Sequence, residues 1–118
     1  MSVPASRETL LDTAWDVARR FVDFGSYGSE QKACRALRRR VPGFAPEEYR
    51  EAFHLALRVL DAAGEVVKRQ LASGAGLPNL DDFVTEALVD ELAERVPGFY
   101  LEGYRGVLWW VYYWRHLR

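Results

Sequence analysis

Cysteine is almost missing from this chain: Cys34 stands alone among 118 residues. One thiol excludes an intrachain disulfide, so packing must hold the fold, and a reducing, cytoplasmic setting is the expectation. Histidine occurs only as His54 and His116, and neither has the cysteine or histidine spacing of a zinc site. There is no phosphate-cradling glycine loop and no nucleophile elbow. No catalytic residue, cofactor or metal is therefore expected, and the chain is not read as an enzyme. Long apolar runs are missing too. The longest, Val107 to Trp114, falls far short of the roughly 20 residues that span a membrane. Met1 to Glu8 is polar and the apolar residues after it are broken by charge, so no secretory leader is expected. Charge of one sign is absent in bulk: the net charge is -1, which argues against nucleic-acid binding driven by overall charge. Lysine is scarce, and arginine carries almost all the positive charge.

What the chain does have is apolar residues, at 49% of the total, enough for one domain with a core of its own. It also has a repeated phrase. Val41-Pro42-Gly43-Phe44 returns as Val96-Pro97-Gly98-Phe99, and nine of fourteen positions match between 37–50 and 92–105. Proline disfavours helical geometry in the residue before it, so a helix should stop at Val41 and again at Val96. Glycine then permits the change of direction. With Ala45 as N-cap, Pro46 takes the first helical position, where its missing N–H costs nothing. Phe44 with Tyr49, and Phe99 with Tyr104, sit at the two ends of a hydrophobic staple. Glu47 and Glu102 fall in the first turn, where a carboxylate favours the helix dipole. The phrase is a helical corner.

The expected fold is all-α: a five-helix bundle over 1–118 built from a duplicated helix–turn–helix unit plus an N-terminal helix. Helix one should span about 7–24, capped by Ser6 and closed by Gly25, with Leu10, Leu11, Ala14, Trp15, Ala18, Phe21 and Val22 inward. The first copy covers about 29–72. Its short helix is capped by Ser29, with Ala33, Cys34, Leu37 and Val41 inward. Its long helix begins at Pro46 and turns Tyr49, Ala52, Phe53, Ala56, Leu57, Leu60, Ala63 and Val67 inward, with Gly64 as a candidate bend. The loose stretch 73–78 links the copies and is the natural site for proteolytic nicking. The second copy covers about 79–117. Its short helix is capped by Asn79, with Phe83, Val84, Ala87, Leu88 and Leu92 inward, and its long helix runs from Leu101 to Leu117. Two hairpins packed about a pseudo-two-fold axis would bury these faces.

The copies differ where function should lie. The helix 30–40 carries Lys32, Arg35, Arg38, Arg39 and Arg40 against Glu30, whereas 80–96 carries Asp81, Asp82, Glu86, Asp90, Glu91 and Glu94 against Arg95. Such helices either attract each other, face different partners, or are solvated faces. Asp82, Glu86, Asp90 and Glu94 recur every four residues, a spacing that reads as one solvated face. On the long helices, Glu51, His54 and Arg58 of the first copy correspond to Gly106, Trp109 and Tyr113 of the second. Polar has become small and aromatic. Either the last helix is central and covered by its own chain, or its outer face is an interface, since tryptophan and tyrosine are enriched at interface hot spots.

Four readings follow. The preferred one is a protein-interaction or adaptor module, a homodimer or partner binder contacting through Gly103, Gly106, Trp109, Trp110 and Tyr113. The alternative is a nucleic-acid-binding regulator using Arg35, Arg38, Arg39 and Arg40, although no aromatics are interleaved with them. A third is a small-ligand pocket lined by tryptophans between the two copies. Glu51-x-x-His54 has the spacing of half a di-iron site, but the second half and two further glutamates are missing. Cys34 is expected as a buried, inert thiol.

Overall fold

The computed structural model describes residues 6–73 and 84–117, the side chain of Leu117 excepted. Five helices, and no strand, occur among the described residues: α1 (Arg7–Phe24), α2 (Glu30–Arg40), α3 (Pro46–Ala72), α4 (Glu86–Arg95) and α5 (Leu101–Tyr112), followed by a π-helical turn, Tyr113–Leu117. None is long and apolar enough to cross a membrane. The chain divides into two compact units, Met1–Leu57 and Arg58–Arg118, and the division falls inside α3.

In the first unit the helix signals act where the sequence places them. Ser6 Oγ accepts from Thr9 N at 3.1 Å and starts α1, and Gly25, in the left-handed conformation, ends it. Ser29 Oγ accepts from Lys32 N at 3.2 Å and starts α2, which packs against α1. Leu10, Ala14, Val17, Ala18, Ala33 and Leu37 are fully buried. Val17 is in this core and Val22 is not: Val22 stands 48% exposed. The buried stripe follows Leu10, Ala14, Val17 and Phe21, and Val22 lies roughly a third of a turn off it at 100° per residue. Phe21 meets Phe53 of α3 edge to face at 5.5 Å.

In the second unit, α4 starts later than its sequence indicates. Asn79, Asp81, Asp82 and Phe83, like the linker residues 74–78, lie outside the described residues. Thr85 has extended backbone and its Oγ1 accepts from Leu88 N at 3.3 Å, so Thr85 is the cap of Glu86–Arg95. The helix therefore does not run through Val84. Leu88 and Leu92 are buried as their spacing indicates, Val89 joins them, and Ala87 is exposed. Helix α4 packs against α5. Gly64 interrupts nothing, because α3 is helical throughout, and its missing Cβ leaves room for Arg115, whose Nη1 would lie 3.2 Å from one. α3 is also buried on a wider face than its main stripe, adding Leu55, Val59 and Val66.

Candidate functional site

The two corners position the long helices, and they do so with the same bonds. Val41 and Val96 leave the helix with φ near −133° and −135° and ψ near 77° and 83°, outside the helical region that a following proline disfavours. Gly43 and Gly98 then take φ of 110° and 99°, values that a side chain would strain. Tyr49 is the piece that fixes the corner. Its hydroxyl donates to the Val41 carbonyl at 2.7 Å and accepts from Phe44 N–H at 3.1 Å, and its ring meets Phe44 at 6.0 Å. Tyr104 repeats this: it donates to the Val96 carbonyl at 2.6 Å, accepts from Phe99 N–H at 3.1 Å, and packs on Phe99 at 5.6 Å. The staple is thus also a polar clamp that satisfies both functions of a buried phenol. Reading the tyrosines as apolar packing missed this. The signal was the fixed spacing of eight residues between Val and Tyr in both corners.

The corners differ at one position that matters. In the first, Ala45 is the N-cap and Glu48 Oε1 accepts from its N–H at 3.1 Å. In the second, Tyr100 caps without a side-chain bond and Gly103 replaces the glutamate. A Cβ on Gly103 would fall 2.5 Å from Tyr100 Cε1 and closer still to Phe99 Cε2. Gly103 is therefore buried beneath two rings and is not part of an open notch. It supports the corner. Gly106 is different: nothing lies within 4 Å of where its Cβ would be.

Beyond Gly106, Trp109 and Tyr113 stack at 5.2 Å with their planes 18° apart, and they stand 42% and 41% exposed. Trp110 and Trp114 stack alongside at 5.0 Å and 8°, both half-buried. Tyr104, Val107, Leu108, Val111 and Tyr112 take the buried side. Each stacked pair spans the passage from α-helix to π-turn, where Tyr113 N–H is shared between the carbonyls of Trp109 and Trp110. Helix α5 is therefore shorter than the continuous run to Leu117 read from the sequence. Such widened turns recur at functional sites.

The basic helix divides its arginines. Arg40 reaches Asp16 of α1 at 2.6 Å, joining Arg19 and Arg20 on the same carboxylate. Burial works to raise the Asp16 pKa, but the bond from Arg40 and the charges of Arg19 and Arg20 outweigh it and hold the carboxyl below its ordinary value. Arg39 is exposed. Arg35 and Arg38 instead line a pocket of about 410 Å³ together with Arg50 of α3. Cys34, Pro46 and Tyr49 supply its apolar wall, and Glu30 and Gln31 its edge. Cys34 is half-buried there, contrary to the expected buried thiol, because α2 turns it toward the pocket and not into the core. Burial, then the charge of Glu30, push its thiol pKa up against the pull of Arg50. No tryptophan lines this pocket.

The acidic helix pairs within its own unit. Glu91 accepts both guanidinium nitrogens of Arg69, at 2.6 and 2.7 Å, and Glu86 accepts from Arg105 at 2.6 Å. Asp82 of the proposed acidic stripe lies outside the described residues. Glu51 is exposed, and His54 sits 3.1 Å from Glu30 across to α2. Among the described residues no group of three histidines, cysteines or carboxylates is placed to hold a metal ion. No protein-family model matches the chain, and neither curated proteins nor solved structures offer a match to it.

Proposed function

We propose that this chain is a helical protein-interaction module that self-associates through the outer face of α5. The observation that carries the reading is the stacked Trp109–Tyr113 pair, 42% and 41% exposed, beside the open position at Gly106. A protrusion and a recess three residues apart on one helix are self-complementary. In a two-fold contact an antiparallel copy would seat its tryptophan over this Gly106 and receive Trp109 over its own. Trp110 would complete the contact from the flank, and Gly103 would act from beneath by holding the corner that aims α5. The role is binding and not catalysis.

The two corners support a duplication as the origin of this face. Nine of fourteen residues agree, and so do the tyrosine clamps. Against that shared frame, the first copy keeps Glu51, His54 and Arg58 at the positions where the second has Gly106, Trp109 and Tyr113. Loss of polarity confined to one face of one copy is what an acquired interface requires.

Sedimentation over a wide concentration range tests this. The chain should be dimeric, and Trp109→Asp should make it monomeric with its helical circular dichroism intact. A wild-type chain that stays monomeric at every concentration, or a folded Trp109→Asp variant that still dimerises, refutes the proposal.

A further inference from the structure

Six arginines of this protein form ion pairs. Arg19, Arg20 and Arg40 hold Asp16; Arg69 and Arg95 hold Glu91; Arg105 holds Glu86. Arg35, Arg38 and Arg50 are not among them, and they share one place. They make no ion pair or hydrogen bond among the described residues, yet all three line one concavity between α2 and the start of α3. Three like charges around one pocket repel each other, and the one carboxylate among the lining residues, Glu30, also lies 3.1 Å from His54. The arrangement is intelligible if a dianion completes it.

We propose that the α2–α3 pocket binds the phosphate monoester group of a small organic molecule, with Arg35, Arg38 and Arg50 as its ligands. The charge fits: three guanidiniums less the Glu30 carboxylate leave two positive charges, against about −1.5 to −2 for a phosphate monoester at neutral pH. Guanidiniums, with their planar fork, are suited to bidentate phosphate recognition. The size fits as well, since about 410 Å³ lies within the range of small-molecule sites. The Cys34, Pro46 and Tyr49 wall gives an organic remainder something apolar to rest on. Tyr49 is rigid there, because its hydroxyl is fixed between Val41 and Phe44. An extended nucleic-acid strand fits less well. It would draw on a row of basic residues, whereas Arg40 is drawn away to Asp16.

Cys34 provides the readout. It is the one cysteine of the chain and lies in the pocket wall, so its alkylation by iodoacetamide reports occupancy without labelling ambiguity. At about pH 9.5, set above the ordinary thiol range of about 8.5 because the Cys34 pKa is raised, phenyl phosphate should slow the reaction in a saturable way, with half-protection below about 1 mM. Inorganic phosphate should protect more weakly, and phenol not at all. Arg35→Gln, Arg38→Gln and Arg50→Gln should each weaken protection by about tenfold or more, as loss of a charge-assisted bond does. Arg39→Gln should leave it within about twofold, since that side chain is outside the pocket. Circular dichroism of each variant separates lost binding from lost folding. No protection by phenyl phosphate in the folded wild-type chain overturns the proposal. So does equal protection by inorganic phosphate, which leaves no role for the apolar wall. Protection by a short DNA duplex where phenyl phosphate gives none overturns it in favour of strand binding.

Discussion

Single atoms decide the corners. Tyr49→Phe and Tyr104→Phe each delete one hydroxyl that both donates and accepts, leaving a backbone carbonyl and an N–H without that partner. Each should lower stability by about 1–3 kcal/mol, measured by urea denaturation. The two glycines of α5 should respond with opposite sign. Gly103→Ala forces the rings of Phe99 and Tyr100 apart and should destabilise by about 1–3 kcal/mol. Gly106→Ala meets no atom and should stabilise the folded monomer by up to about 1 kcal/mol, while obstructing the recess that the proposed self-association would use. Thermal melts and sedimentation of the same two variants read both effects. Asp16 sets a pH response. Its folded pKa is depressed, so its contribution is complete above the unfolded value of about 4 and disappears as pH falls through the folded value. Asp16→Asn should therefore cost roughly 1 kcal/mol or less at pH 7, since the Arg20 and Arg40 side chains are about half exposed and solvent screens them, with the gap from wild type narrowing below about pH 4. Acid denaturation of the pair checks this.

At the scale of the helix, local chemistry was legible and mutual arrangement was not. Ser6, Gly25, Ser29 and Pro46 bound α1, α2 and α3 where their residue types say they should. These signals act within one turn, so a single sequence contains them entirely. Helix α4 shows the limit. Asn79 and Thr85 are both acceptable caps, and only packing favours the second of them for the helix that ends at Arg95. Thr85→Ala should accordingly cost about 1 kcal/mol in urea denaturation, as loss of an N-cap does. The aromatic face was visible because the stretches after the two similar corners could be compared position by position. The arginine pocket was not. Arg50 lies on α3, and nothing in the spacing of Arg35 and Arg38 shows that a third guanidinium comes beside them after the turn. Nor does a string of four arginines reveal that Arg40 is diverted to α1.

For the molecule as a whole, the boundary between its compact units lies within α3, between Leu57 and Arg58. Units joined by a loop can lose structure one at a time. Here each unit takes about half of the same 27-residue helix, a rod of roughly 40 Å at 1.5 Å per residue. Helix formation propagates far more easily than it nucleates, so whichever half orders first presents the other with a ready-made end to extend. The hydrogen bonds that bridge 57 and 58 become the messenger: order acquired on either side lowers the threshold for the other. A proline at Leu57 would cut that message: chemical denaturation should be one transition in the parent chain and separate into two in the variant.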